Sequence, residues 1–192
     1  MNLSHSRLLL AAALISLAIT THAETPADPI SADSFGCIRD MTPVRGFFVD
    51  NLKGDLEATL AVANALDGGV YPPGSVVQLI PSEVMVKRDP GFSPVTKDWE
   101  FIELDVSAEG ASIRARGFAD VNNKFGGNCF ACHVKAEPQR DMICEQGHGC
   151  DPIPLTAAMS RALQKTDPRC APTELSSEEM EALKALRAVF GG

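Results

Sequence analysis

Hydrophobic positions in the middle of the chain follow the short period that is typical of β-strands. Val76–Ile80 and Val84–Lys87 are rich in β-branched residues and are separated by Pro81. The segments DWEFIELDV and ASIRARGFADV then alternate apolar with polar side chains. Because no helical period separates these short strands, the pattern predicts an antiparallel sheet.

Apolar residues at helical spacing occur on both sides of this strand region. The segment DLEATLAVANALDGG has Asp55 as a candidate N-cap and Gly68–Gly69 as a candidate C-terminal stop. Near the C-terminus, PLTAAMSRALQK and TELSSEEMEALKALRAVF have the same period, and Ser176 with Glu179 predicts a capping box. The predicted fold class is α+β, an antiparallel β-sheet domain with flanking helices.

The N-terminus has the features of a secretory signal peptide. Arg7 precedes an apolar run from Leu8 to Ile19, which is shorter than the roughly 20 residues that a membrane-spanning helix needs. Small residues then predict cleavage after Ala23. We therefore expect a signal peptide over residues 1–23, a flexible lead-in over 24–34, and a single domain over 35–192 that is exported to a bacterial periplasm.

Charge limits the classes of partner. The 192-residue chain has a formal net charge of −8 and no basic cluster. Such an acidic chain binds nucleic acid or anionic lipid poorly, because these partners are also negatively charged. We expect neither nucleic acid nor a membrane as a partner of the mature form.

Six cysteines in an oxidising compartment are expected to have partners. Apart from the two that belong to a motif described next, four are available for disulfides: Cys37, Cys144, Cys150 and Cys170. Four cysteines allow three pairings, and sequence does not choose among them. One of the three joins Cys144 to Cys150 across a short Gly-rich loop and Cys37 to Cys170 across most of the domain.

The segment CFACH contains Cys129, Cys132 and His133 in the order that attaches a c-type haem. Two thiols three residues apart on one helical turn can both reach the vinyl groups at one edge of the porphyrin. His133 then lies beneath the iron as its protein ligand. The sequence therefore predicts one covalently attached haem c, bound through a short helix that follows the sheet.

Three other interpretations of the motif are weaker. A zinc site needs a second ligand pair at suitable spacing, and the sequence has none. A thioredoxin-like redox pair needs a preceding βαβ pattern, which is also missing. A purely structural disulfide would leave the position of His133 unexplained.

Four segments, YPPGSVVQL, DWEFIEL, CFACH and RDMIC, occur here in an order that resembles the cytochrome P-460 family, including the cytochromes c′-beta. The resemblance covers roughly residues 71–144. It implies a β-rich domain with flanking helices, a homodimer in many members, and a five-coordinate haem with an open distal face. Cytochromes P-460 oxidise hydroxylamine and carry a lysine cross-linked to the porphyrin.

The position that matches this lysine is Leu79, so the resemblance does not extend to the cross-link. Lys87 is the nearest substitute, but it lies beyond Pro81 and is expected to be a solvated strand end. Strand alternation places Val77 on the same face as Leu79, which predicts an apolar distal wall. Phe92, Phe101 and Phe118 are further candidates for this wall.

An apolar distal wall favours small uncharged ligands such as nitric oxide or carbon monoxide. The expected function is binding or detoxification of nitric oxide or a related nitrogen species, with electrons exchanged through a periplasmic partner. Two alternatives stay open: a hydroxylamine-oxidising enzyme of the P-460 type, and an electron-transfer cytochrome with a Met distal ligand. Met159 and Met180 lie downstream of the motif, at positions that helical spacing assigns to core packing. The sequence does not decide whether the protein is an enzyme.

Overall fold

The computed structural model describes residues 30–145 and 147–190. The predicted signal peptide, residues 1–23, lies outside this part of the chain, as do residues 24–29 of the predicted lead-in. The rest of the lead-in is packed against the sheet: Ala32–Ser34 form a 3-10 turn, and the carbonyl of Ile30 accepts a hydrogen bond from Arg116 (3.2 Å). Ordered packing therefore begins upstream of Phe35.

Six antiparallel strands form one sheet in which each strand pairs with the next along the chain. Their bounds are β1 Thr42–Val44, β2 Phe47–Asn51, β3 Ser75–Ile80, β4 Glu83–Lys87, β5 Trp99–Ser107 and β6 Gly110–Arg116. The predicted antiparallel sheet is confirmed, and β3 to β6 match the predicted strands closely. Strands β1 and β2 were not expected from the sequence.

In the described part of the chain, four α-helices accompany the sheet: α1 Leu56–Asn64, α2 Cys129–His133, α3 Ala157–Lys165 and α4 Ser177–Phe190. The predicted α+β class is thus confirmed. The carboxylate of Asp55 caps α1 by accepting a hydrogen bond from the N–H of Ala58 (3.3 Å). The capping box of α4 is also present, since Ser176 and Glu179 exchange hydrogen bonds of 2.8 and 3.2 Å.

The C-terminal end of α1 differs from the prediction. The helix stops at Asn64, because Ala65 is already extended, and Gly68–Gly69 lie beyond it. These glycines contact the segment that follows α2 instead. The N–H of Gly69 donates to the carbonyl of Gln139 (2.9 Å), and a Cβ on Gly68 would lie 2.2 Å from that same oxygen. The glycine pair permits this close approach of two backbones.

Both faces of the sheet are covered, and they carry separate apolar clusters. The face that we call the motif face holds Trp99 and Phe101 together with Cys129. The opposite face holds Ile102 and Leu104 and is covered by the N-terminal segment. The alternation predicted for β5 therefore sorts its side chains between two cores, which is why its first six residues, 99–104, are all buried.

The C-terminal helices attach to the sheet through α3. The amide of Gln164 donates to the carbonyls of Gly46 and Leu79, both at 2.8 Å, and α4 packs on α3. Within residues 30–145 and 147–190, no helix combines the length and the hydrophobicity needed to cross a bilayer.

Two disulfides join the four cysteines outside the motif, Cys37 to Cys170 and Cys144 to Cys150. The first links the start of the domain to the α3–α4 connection across 133 residues. In the chain-entropy model, closing a loop of this size stabilises the fold by about 5 kcal/mol. Of the three pairings that the sequence allows, the structure contains this one.

Candidate functional site

The motif helix α2 is held at the end of the sheet by Asn128. Its side-chain oxygen caps the helix by accepting from the N–H of Ala131 (2.9 Å). Its amide nitrogen donates to the carbonyls of Phe118, Ala119 and Val121 at 3.1–3.2 Å. One residue therefore starts the helix and fixes it to the chain that leaves β6.

The cysteines of the motif are free thiols, whereas the other four cysteines are in disulfides. Cys129 is buried on the motif face, and Cys132 is half-buried. Burial, helped by the negative charge of Glu83, raises the pKa of the Cys129 thiol to about 12. The interpretation of the motif as a structural disulfide is therefore wrong for this structure.

His133 has a defined hydrogen-bond partner. Its Nδ1 atom lies 2.7 Å from the carbonyl oxygen of Met142, which can only accept, so Nδ1 carries the proton and Nε2 has a free lone pair. The ring packs edge-on against Phe101 with 5.4 Å between centroids. Burial lowers the pKa of His133, and the hydrogen bond to Met142 offsets part of this effect. A neutral imidazole in this tautomer is suited to bind a metal through Nε2.

Asp141 precedes the acceptor of this hydrogen bond and is itself almost fully buried. In the structure its carboxylate accepts from the N–H of Tyr71 (2.9 Å) and from Lys87 Nζ (2.7 and 3.0 Å). Asp141 is thus one half of a buried ion pair.

Lys87 is the other half, and the expectation of a solvated strand end is wrong. The residue is only 6 % exposed, and its Nζ atom also donates to the carbonyl of Lys97 (2.7 Å). The ammonium lies 5.1 Å from the centre of the Trp99 ring. Lys87 points to the motif face because it alternates with Val86, which is buried in the opposite cluster.

Val77 and Leu79, the predicted distal residues, lie on the motif face. Val77 is buried in the same cluster as Cys129, and Leu79 is half-buried against that cluster. Val77 pairs in register with Met85 on β4, which pairs with Phe101 on β5. Because cross-strand partners share a face, these side chains form one apolar row.

The other two phenylalanines are not part of this row. Phe92 is 47 % exposed and lies against the guanidinium of Arg88. Phe118 is 45 % exposed and packs edge-on against Phe130 of the motif helix. Of the three phenylalanines considered from sequence, only Phe101 belongs to the buried motif-face cluster.

The sequence interpretation missed two carboxylates on the motif face. Glu83 and Glu103 are direct cross-strand partners at one end of the row. Glu103 forms an ion pair with Arg114. Among the described residues, Oε1 of Glu83 and Oε1 of Glu103 are both buried without a hydrogen-bond partner. Burial raises the pKa of Glu83. The two-residue period of β5 could have indicated Glu103, because it places this residue on the same face as Trp99 and Phe101.

The methionines are distributed differently from the expectation. Met180 is 48 % exposed, so it is not a core residue, and Met159 is half-buried in α3. Met85 and Met142 are both buried on the motif face.

His148, which the sequence did not assign, lies in the loop closed by Cys144–Cys150, with Nδ1 3.2 Å from the carbonyl of Ile143.

The residues of the site fit a c-type haem by the chemistry of their donors. Two free thiols stand three residues apart on a short helix, next to an imidazole whose Nε2 is available and whose other nitrogen is fixed. The adjoining sheet face is predominantly apolar. Within the described part of the chain, no three His, Cys, Asp or Glu side chains group closely enough to hold a metal ion by themselves.

No protein-family model, curated protein or solved structure matches this chain.

Proposed function

We propose that this protein is an exported, monohaem c-type cytochrome of the P-460-like class. Cys129 and Cys132 would hold the haem through thioether bonds, and His133 would ligate the iron. The observation that carries the proposal is the hydrogen bond of 2.7 Å from His133 Nδ1 to the carbonyl of Met142, beside two free thiols. It is the arrangement that directs Nε2 of a protein histidine to a metal.

A haem bound there would supply an iron that can bind a small ligand. Val77 and Leu79 give the motif face an apolar surface without hydrogen-bond donors in their side chains. Such a surface favours nitric oxide or carbon monoxide over charged or strongly polar ligands. We therefore assign the protein to binding or detoxification of nitric oxide or a related nitrogen species, with electrons exchanged through a periplasmic partner.

Hydroxylamine oxidation of the P-460 type ranks lower. That chemistry is associated with a lysine cross-linked to the porphyrin, and Leu79 stands at the matching position. The nearest lysine on the same face, Lys87, has its ammonium committed to Asp141 and to the carbonyl of Lys97. A cross-link through Lys87 would leave the Asp141 carboxylate buried without its counter-charge, which is unfavourable.

An electron-transfer cytochrome is the second candidate, because one methionine is suitably placed for it. Met85 is buried in the same cluster as Cys129 and is the register partner of Val77. A Met thioether as second axial ligand makes the iron six-coordinate and raises its potential. This candidate therefore names Met85, rather than Met159 or Met180.

Absorption spectra of the purified holoprotein, ferric and dithionite-reduced, test these assignments. A high-spin five-coordinate spectrum with an ordinary c-type Soret position, altered by nitric oxide, supports the gas-binding function. A strongly red-shifted ferrous Soret band would place hydroxylamine oxidation first. Low-spin bands that are indifferent to nitric oxide but are lost in Met85→Leu would identify the electron carrier, with Met159→Leu as the matched control.

A further inference from the structure

A buried ion pair lies immediately behind the hydrogen bond of His133. Lys87 Nζ is 2.7 and 3.0 Å from the two carboxylate oxygens of Asp141, and their side chains are 6 % and 3 % exposed. Asp141 is followed in the chain by Met142, whose carbonyl accepts the hydrogen bond from His133 Nδ1–H. The ion pair therefore lies one peptide unit from the partner of the proposed iron ligand.

The backbone at this point has an uncommon conformation. Asp141 and Met142 are consecutive non-glycine residues in the left-handed region, with φ of +48° and +67°. Residues that have a Cβ atom rarely adopt this backbone conformation, and it persists only where surrounding contacts hold it. The direction of the Met142 carbonyl depends on this pair of torsions.

Contacts to Asp141 supply the restraint. Its carboxylate accepts from Lys87 and from the N–H of Tyr71 (2.9 Å), and its carbonyl accepts from the indole N–H of Trp99 (2.7 Å). Trp99 is held in turn by an edge-on contact with the Tyr71 ring, at 5.4 Å between centroids. The side chain and the carbonyl of Asp141 are thus both fixed. The following carbonyl, that of Met142, is directed at His133 as a result.

We infer that Lys87 and Asp141 are positioning residues for His133. Through the backbone of Asp141–Met142 they fix the position of the Met142 carbonyl. This carbonyl keeps the His133 proton on Nδ1 and leaves Nε2 unprotonated. A histidine whose Nδ1–H donates to a fixed acceptor is a stronger electron donor through Nε2, so the ion pair sets the strength of the proposed iron–histidine bond. This last consequence rests on the proposed function, whereas the tautomer of His133 is a property of the chain itself.

A second buried ion pair provides a matched control. Arg88 follows Lys87 in the chain and pairs with Glu100 at 3.3 Å, with side chains 9 % and 6 % exposed. Strand alternation places this pair on the opposite face of the sheet, because Glu100 lies between Trp99 and Phe101. A general loss of stability would follow from disrupting either pair, but only Lys87–Asp141 should affect His133.

The test compares Lys87→Met/Asp141→Asn with Arg88→Met/Glu100→Gln in the full chain. Each double variant removes both charges of its buried pair. In the control, Arg116 loses its partner Glu100 (2.6 Å) as well, but the Arg116 side chain is exposed, so no buried ion is left unpaired. In the ferrous carbon monoxide form, we expect the Nδ1 proton of His133 to be protected from solvent exchange in the wild type and in the control, and to lose protection in the first variant. The iron–histidine stretching frequency of the ferrous protein should fall in that variant alone, and the reduction potential should rise.

Two additional variants address folding. Lys87→Arg keeps the positive charge and should retain most of the protection of the His133 Nδ1 proton from solvent exchange. Trp99→Phe keeps an aromatic ring but removes the hydrogen bond to the Asp141 carbonyl, and should shift the frequency in the same direction by a smaller amount. If the first double variant does not fold, Trp99→Phe decides the question.

Unchanged proton protection and an unchanged iron–histidine frequency in the folded variant would overturn the inference. If the chain carries no covalent haem, the proposed function fails, but the protonation of His133 Nδ1 is still measured by nitrogen-15 NMR in the haem-free full chain. Loss of the Nδ1–H tautomer there in Lys87→Met/Asp141→Asn would support the positioning role, and its retention would refute it.

Discussion

His133 and Met142 are nine residues apart in the chain, and a hydrogen bond of 2.7 Å joins the imidazole Nδ1 of the first to the carbonyl of the second. The bond determines which ring nitrogen carries the proton and which is available to a metal. It also connects the motif helix to the left-handed Asp141–Met142 segment, which is anchored on the sheet. The candidate site is therefore assembled from the motif helix, the loop that follows it and one sheet face.

Replacing the motif thiols should remove the cofactor. We expect one covalent haem per chain in the wild type, by the pyridine haemochrome assay, and none in Cys129→Ala/Cys132→Ala. The matched control is Cys144→Ala/Cys150→Ala, which removes the disulfide closest to the motif and should keep the haem. Equal haem content in the two double variants would contradict the assigned attachment site.

Shortening Leu79 should make the distal side more accessible. Leu79 is half-buried against the cluster that contains Cys129, so Leu79→Ala removes apolar bulk beside the proposed haem. We expect a several-fold faster association of carbon monoxide or nitric oxide, measured by flash photolysis or stopped flow. Val84→Ala, a comparable truncation on the opposite face, should leave this rate unchanged. Equal effects of the two changes would indicate that Leu79 does not face the ligand.

Asp167 should contribute to stability in a pH-dependent way. Burial alone would raise the pKa of its carboxyl, but hydrogen bonds from Arg169 and from the N–H of Ile38 outweigh burial and lower the pKa. The folded state therefore binds fewer protons than the unfolded state near this pKa. Its stabilising effect is present above about pH 4 and is lost as the pH falls.

Asp167→Asn should accordingly reduce the free energy of unfolding by about 3 kcal/mol at pH 7, since it breaks a buried pair. The difference from wild type should shrink as the pH falls below about 4. Denaturant titrations at several pH values measure both effects. Glu181→Gln, which removes an exposed pairing with Lys184, is the control and should change stability by less than about 0.5 kcal/mol. A pH-independent loss in Asp167→Asn would exclude the ionic explanation.

The two motif thiols should differ in reactivity before haem attachment. Burial raises the pKa of Cys129 to about 12, and only the thiolate reacts with alkylating reagents. In haem-free protein at pH 8, we expect iodoacetamide to modify half-buried Cys132 well before Cys129. Peptide mass spectrometry over a time course gives the order. Modification of both at one rate would show that Cys129 is not shielded in the folded chain.

Much of the fold was predictable because its signals are local. Strands β3 to β6 follow from alternation and β-branched content, and the start of α1 follows from Asp55. The capping box of Ser176 and Glu179 is likewise readable from spacing. Strand β1 was missed because it has only three residues and contains Pro43, which weakens any strand prediction.

The candidate site likewise has one part that was predictable from local sequence and one part that was not. The spacing of Cys129, Cys132 and His133 carries the haem prediction, since it specifies covalent chemistry within one turn of helix. The surroundings of Lys87 were not predictable, because its partner Asp141 is 54 residues away and a lysine at the end of a strand is usually exposed. Only the packed structure makes it a buried ion-pair partner.

The fold class, the motif and the set of cysteines could be predicted from the chain alone, because each depends on neighbouring residues or on composition. The disulfide pairing, the burial of Lys87 and the partner of His133 are established only by folding of the whole chain. These depend on contacts between residues far apart in the chain, whose geometry is set by the order of strands in the sheet and by the path of the loop after α2. Local patterns do not encode that geometry, so it emerges only when the two apolar faces of the sheet are covered.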